Sequence, residues 1–427
     1  MKRHIVIVVA ALLSLGAMAQ QSRTEIDADP TLAGSNYLAY PGPKKALTPA
    51  PKGYKPFYIS HYGRHGSRYL IGTKDYDKPL QVFLQAERDG KLTPKGKEVL
   101  QKLKLICAEA KGRDGELTQR GAEQHKGIAK RMYERFPEVF KGKTNVDAKS
   151  TIVIRCILSM ENALQQLLVM NPELHITHDA SYHDMYYMNL DDKKLQDKKM
   201  PNKANMAYWQ FVAQNDHHQR VMAELFNDTS YAEKNIDCTW LYQKLFKLAS
   251  NVQSTELRHK LSLYDIFNKD EIYENWRVRN ANWYITYGPS PLNGGTQPYS
   301  QRNLLRKIIS EADSCIALPH PGATLRYGHD TMVMPLTCLL GLNGFDKSIA
   351  NLDDVDKQDW CDFKIFPMAC NIQFVFYRKS ANDKDPIFKI LLNEDEATLP
   401  IHTDMAPYYH WSDFKDFYLK KLASYKE

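Results

Sequence analysis

The spacing of apolar residues changes period repeatedly along the 427-residue chain. Residues 55–60 alternate, with Phe57, Tyr58 and Ile59 following Pro51 and Gly53, which predicts a short strand. Helix-like segments follow at 79–88, 93–111 and 118–136. In the last of these Ile128, Met132 and Phe136 recur four apart on one face, and Thr118 is a candidate cap. The β-branched run 150–156 predicts a buried parallel strand with Arg155 emerging near its end. An amphipathic helix over 159–170 and a short strand over 173–178 come next. Between 181 and 308 strand patterns are scarce, and helix-like patterns occupy 208–226 and 231–248; another follows at 303–311. The sheet resumes at 323–327, then comes an apolar helix-like segment at 332–340 with Pro335 near its start. Strands at 371–377 and 386–392 and an aromatic-rich helix at 408–425 complete the chain. This order predicts an α/β fold: a mixed, mostly parallel sheet flanked by helices, built from 53–180 and 309–427. An inserted, mainly helical domain at 181–308 would roof a site and select its substrate.

The ends change the picture. Lys2 and Arg3 precede a mostly apolar run over 5–19 that closes Ala17-Met18-Ala19, the pattern of a secretory leader cleaved after Ala19. That run is too short to span a bilayer comfortably, and no later stretch is apolar enough, so the reading is a periplasmic or secreted protein with no membrane insertion. About 408 residues would remain, more than one core normally holds. Residues 20–52, with Pro41, Pro43, Pro49 and Pro51, read as a meandering N-terminal arm on the surface. Loss of the two leader cations lowers the net charge from +7 to about +5, which suits an anionic small molecule but is too little to argue nucleic-acid binding. The seven cysteines permit at most three disulfides, and free thiols are equally compatible. None has metal-site spacing, so neither metal nor cofactor is implied.

The chemistry concentrates in His61-Tyr62-Gly63-Arg64-His65-Gly66-Ser67-Arg68. It follows a strand end, where open α/β sheets bind ligands. An imidazole flanked by Arg64 and Arg68 suits a nucleophile surrounded by fixed cations, since arginine donates bidentate hydrogen bonds to phosphate oxygens and stays charged. Three further stretches follow in order: Leu117-Thr118-Gln119-Arg120-Gly121, Ser150-Thr151 with Arg155, and Gly328-His329-Asp330-Thr331. His125, after the second stretch, reads as a polar helix residue. His183, just past a strand, is a weak substrate-contact candidate.

Together these motifs resemble the histidine acid phosphatases, a branch that includes phytases and multiple inositol-polyphosphate phosphatases. The resemblance implies a phosphoglycerate-mutase-like α/β fold with a helical insertion and a phosphomonoesterase working through a phosphohistidine. It assigns His65 as nucleophile, Arg64, Arg68, Arg155 and His329 as phosphate-binding, and Asp330 as the acid that protonates the departing alcohol. Cys156 stands where the family often has threonine. The tail of the first motif through Tyr69, the loop 185–189 and residues 391–394 look like the inositol-polyphosphate group. That group typically has His-Ala-Glu at the acid position, and His-Asp-Thr here is the pattern of phytases and general acid phosphatases. A broad-specificity acid phosphatase is therefore the alternative. A mutase-like transferase fits poorly with a leader and an insertion, and a non-catalytic phosphate-binding protein of the envelope would not need both His65 and Asp330. The oligomeric state is not legible.

Overall fold

Strand β1 (Lys55–Arg64) occupies the middle of an eight-stranded sheet and is buried from Tyr58 onward. It is one part of a computed structural model that describes residues 21–189 and 192–426, so the leader expected over 1–19 lies outside the described residues. The strand order is β3-β2-β4-β1-β5-β6-β7, with β8 also on β6; the others are β2 (Asn145–Ser150), β3 (His175–Asp179), β4 (Gly322–Gly328), β5 (Asn371–Arg378), β6 (Ile387–Leu392), β7 (Asp395–Ala397) and β8 (Tyr409–His410). Pairing from β3 to β1 is parallel, and from β1 through β5 to β8 antiparallel.

Helices α1 (21–28), α2 (Lys74–Arg88), α3 (Pro94–Ala110), α4 (Gln119–Arg135) and α5 (Ile154–Met170) precede β3. Between β3 and β4 come α6 (Met185–Met188), α7 (Lys193–Asp197), α8 (Asn202–Gln214), α9 (His218–Leu225), α10 (Thr229–Asn235), α11 (Cys238–Val252), α12 (Lys269–Tyr287) and α13 (Arg302–Ile316), with no strand among the described residues. Helices α14 (Asp330–Leu340), α15 (Asp362–Ile365) and α16 (Trp411–Ser424) complete the list. On one face of β1, Tyr58 and Tyr62 share a core with α13, α14 and α16; on the other, Ile59 packs with residues of α4 and α5. A second, helical lobe has its own core. There Phe83, Val99 and Leu103 of α2 and α3 meet Leu225, Leu241, Leu245 and Trp276 of the segment after β3.

Several expectations need correcting. The β-branched run 150–156 is not a strand. Strand β2 lies upstream, where Val146, Ala148 and Ser150 register against Ala323, Leu325 and Tyr327. Residues 152–153 form a loop, and Ile154, 71% exposed, starts α5. Pairing partners decided the strand, and intrinsic β preference lost. The patterns at 208–226 and 231–248 are each two helices, and Asp228 and Asp237 cap the starts of α10 and α11. Strand β1 runs four residues beyond its expected end, so His61 to Arg64 belong to it. Residues 33–40 of the arm are not on the surface: Ala33, Ser35, Leu38 and Tyr40 are buried, with Asn36 alone of the eight half-exposed. All seven cysteines are free thiols.

Candidate active site

Register brings the motifs together. Arg64 ends β1 opposite Gly328, which ends β4, so His65 and His329 are the next residues out of two adjacent parallel strands. The His65 amide donates to Gly328 O at 2.9 Å, and the two rings stand edge to face with centroids 5.8 Å apart. His65 is held by Nδ1, 2.9 Å from Gly66 O. A carbonyl only accepts, so Nδ1 carries the proton and the neutral ring keeps its lone pair on Nε2. Glycines allow the turn behind it. A Cβ on Gly66 would come within 2.4 Å of Gly121 O and one on Gly121 within 2.3 Å of Ser67 O, so both positions need glycine where this turn meets the start of α4, which Thr118 caps.

The buried Arg64 donates through Nη1 to Asn36 O (2.7 Å) and Phe366 O (3.0 Å), and its Nη2 pairs with Asp330 at 2.8 Å. Arg68 bonds Tyr69 O and leaves Nε without a partner; Arg155 Nε, in the first turn of α5, is likewise unpartnered and buried. Arg155, expected near a strand end, sits instead in the first turn of α5, and the carboxylate two turns on, Glu161, pairs with His178. Burial and then the charges of Arg64, Arg68 and Arg155 push His65 well below its ordinary value. Burial and Arg155 bring His329 down to about 4. His329 Nε2 lies 3.2 Å from Thr151 Oγ1, with Cys156 Sγ close by. Burial pushes the Asp330 carboxyl up, but Arg64 and Arg68 outweigh it and hold the group below the usual range. Neutral imidazoles, unsaturated guanidinium donors and a carboxylate thus face one another, able to take a phosphoryl dianion in line with Nε2.

Of the sequence candidates, His65, Arg64, Arg68, Arg155, His329 and Asp330 form this one cluster. His183 does not join it: it is exposed in the turn Tyr182–Asp184. His125, expected as a polar helix residue, is only 1% exposed and stacks edge-on to Tyr327 at 5.5 Å. His61 meets the same ring from β1 at 5.2 Å, and burial brings both histidines to about 3. Residues 391–394 are structural. Glu394 clamps Arg131 and receives Tyr40 OH at 2.7 Å.

Sequence reading missed the arm. Asn36 contacts both Arg64 and Asp330, and the Tyr37 ring lies under Arg68, Lys247 and Arg279 at 5.5, 6.0 and 6.0 Å. It also missed Ser159 and Gln124, which accept from the amides of Gly66 and Ser67. Gln124 sits in a stretch already singled out, but no periodic signal marks a proline-rich arm as part of a site.

Such a cluster of cations suits a phosphate ester, and the family to which the chain belongs makes the protein a phosphomonoesterase. The model of the histidine phosphatase superfamily (branch 2) matches residues 63–393, and the chain belongs to that family. Solved structures share the fold at low identity. The Bifidobacterium longum multiple inositol polyphosphate phosphatase in complex with phosphate has a TM-score of 0.76 at 18% identity, covering 91% of this chain and 98% of that one. Its complex with inositol hexasulfate gives 0.74 at 18%, covering 90% and 97%. A phytase from D. castellii gives 0.65 at 13%, covering 92% and 85%. A sequence search of curated proteins finds no match.

Proposed function

We propose that the protein is an exported phosphomonoesterase that works through a phosphohistidine on His65 and acts on inositol polyphosphates or related anionic phosphate esters. The observation that carries the mechanism is the Nδ1 contact to Gly66 O, which leaves Nε2 as the free lone pair among three arginines. Arg64, Arg68, Arg155 and His329 bind the nonbridging oxygens and neutralise charge in the transition state. The Nε2–P bond forms as the ester P–O bond breaks, and the departing oxygen takes the proton of Asp330, because an alkoxide leaves poorly without one. By themselves the arginines hold Asp330 ionised. A bound dianion cancels much of their field; burial then prevails at Asp330 and its carboxyl takes up a proton, whereas at His329 the dianion only opposes the burial that keeps the ring neutral. Water next attacks the phosphohistidine and gives its proton to the Asp330 carboxylate, releasing inorganic phosphate. The arginines supply the charge that a metal would otherwise bring.

Three features support a multiply charged substrate and export. Arg279 flanks Tyr37 beside Arg68, adding a cation beyond those one phosphoryl group uses, while Lys247 on the same ring is paired with Asp75 at 2.6 Å. Arg279 is hydrogen-bonded to Ser250 Oγ rather than to a carboxylate. The leader pattern over 1–19 supports export. The test is a phosphate-release screen across inositol hexakisphosphate, sugar phosphates and nucleotides at several pH values, with EDTA present. The expected result is a higher kcat/KM for inositol hexakisphosphate than for singly phosphorylated sugars, with p-nitrophenyl phosphate turnover within about twofold of the EDTA-free rate, the rate expected where no Lewis acid takes part. Equal release from all esters would indicate a broad-specificity phosphatase; binding without release would indicate a phosphate-binding protein.

A further inference from the structure

Asn36 touches the catalytic centre at two points that act on the same pair of charges. Its backbone carbonyl takes Arg64 Nη1 at 2.7 Å, and its side-chain Nδ2 donates to Asp330 Oδ2 at 3.3 Å, while Arg64 Nη2 and Asp330 Oδ2 pair at 2.8 Å. The three residues close a ring. The arm is itself fixed at this point. Ser35, immediately before, is fully buried with φ +56° and ψ −128°, a region a non-glycine side chain rarely adopts, and its hydroxyl donates to the buried carboxylate of Asp362, which also receives Trp276 Nε1 at 2.9 Å. Backbone held in such a conformation is maintained by its surroundings and clusters at functional sites. Tyr37, on the other side, is buried among cations. The arm therefore presents one amide to the acid and has few ways to move it.

We infer that Asn36 is a positioning residue for proton donation: its amide holds the Asp330 carboxyl in place against Arg64 while its carbonyl holds Arg64. This rests on the reading of Asp330 as the general acid. The charged and titratable groups facing Asp330 are Arg64 and Arg68, Arg155 from α5, His329 beside it, Tyr287 from α12, and the thiols of Cys156 and Cys370. Among the hydrogen-bond donors, the Asn36 amide works with the arginines to keep the carboxylate ionised. Removing it raises the acid's pKa, so the basic limb of activity, which falls as the acid loses its proton, moves to higher pH.

The test compares wild type, Asn36→Ala, Asn36→Asp and Asp330→Asn in single-turnover measurements with a sugar phosphate and with p-nitrophenyl phosphate, across pH. Both Asn36 variants keep the backbone carbonyl on Arg64, and in Asn36→Ala, which adds no charge, KM should stay near wild type. The basic limb for the sugar phosphate should move up by about half a unit in Asn36→Ala, the size expected of one hydrogen bond. It should move further in Asn36→Asp, which is isosteric, cannot donate when ionised and adds a like charge. The maximal rate should fall about five- to tenfold for the sugar phosphate and less than about twofold for p-nitrophenyl phosphate, whose leaving group needs little help. The second substrate also reports the amount of intact site. An Asn36→Asp profile superimposed on wild type, with both substrates reduced equally, would overturn the inference while leaving Asp330 as the acid if Asp330→Asn still shows the leaving-group split. Loss of that split in Asp330→Asn would overturn both.

Discussion

Two pairs of buried histidines are neutral in this protein for different reasons. His65 and His329 lie beyond the ends of β1 and β4, where burial is joined by three arginines. His61 and His125 lie behind them against Tyr327; burial again comes first, but none of the three arginines joins it, and only His125 and the ion-paired Arg326 add to it at His61. A dianion entering the first site can reverse part of its effect, because it cancels the cations; nothing bound there can rehydrate the second. The same direction of shift is readiness for chemistry in one place and a liability toward acid in the other.

The largest test of this contrast is His65→Ala, which should abolish turnover of every ester and eliminate acid-labile phosphoenzyme in a rapid quench. A phosphoenzyme retained in that variant would move the nucleophile elsewhere. Next comes Asp330→Asn, expected to slow alkyl esters such as inositol or sugar phosphates by roughly 10²- to 10⁴-fold and p-nitrophenyl phosphate far less. Equal losses in phosphoenzyme formation would show that Asp330 does not protonate the leaving group.

The smallest effect concerns the rear pair. Each of His61 and His125 has a folded pKa of about 3 against 6.5 when exposed, so the unfolded chain binds more protons between those values. Their contribution is fully present above pH 6.5 and is lost as pH falls toward 3. By pH 5, a drop of 1.5 units at about 1.4 kcal/mol per unit, each costs about 2 kcal/mol. Asp362 works the other way. Burial lifts it to about 6, so it favours the fold as pH falls from 6 toward 4. His125→Leu should flatten the acid limb of denaturant-derived stability by that amount while the rate at pH 7 stays close to wild type. An unchanged acid limb would show that the ring is already protonated or hydrated in the fold.

How much of this was legible follows the same divide. Arg64, His65, Arg68 and the His329–Asp330 pair stand in the sequence as chemistry, and a strand end before each places them. Arg155 lies with the other arginines, but on a helix rather than the expected strand, because Ile152 and Val153 look like strand and β2 is the more polar Asn145–Ser150. His125 lies in α4 as a helix residue outside the cluster, and its burial follows from its spacing, three residues before Ile128 and seven before Met132 on the same face. Asn36 could not be read at all. Its partner Asp330 is 294 residues away, and a Pro- and Gly-rich arm carries no periodicity to show what it packs against.

The supports of Arg64 come from distant parts of the polypeptide: Asn36 O near its start, and Phe366 O and Cys370 O more than 300 residues later. A chain cut before Phe366 would hold His65, Arg64, Arg68, Arg155 and Asp330 yet lack those two later carbonyls and the strand β5 that pairs with β1. The arrangement of the cluster is therefore a property of the whole fold, and no fragment that merely contains the reactive groups reproduces it.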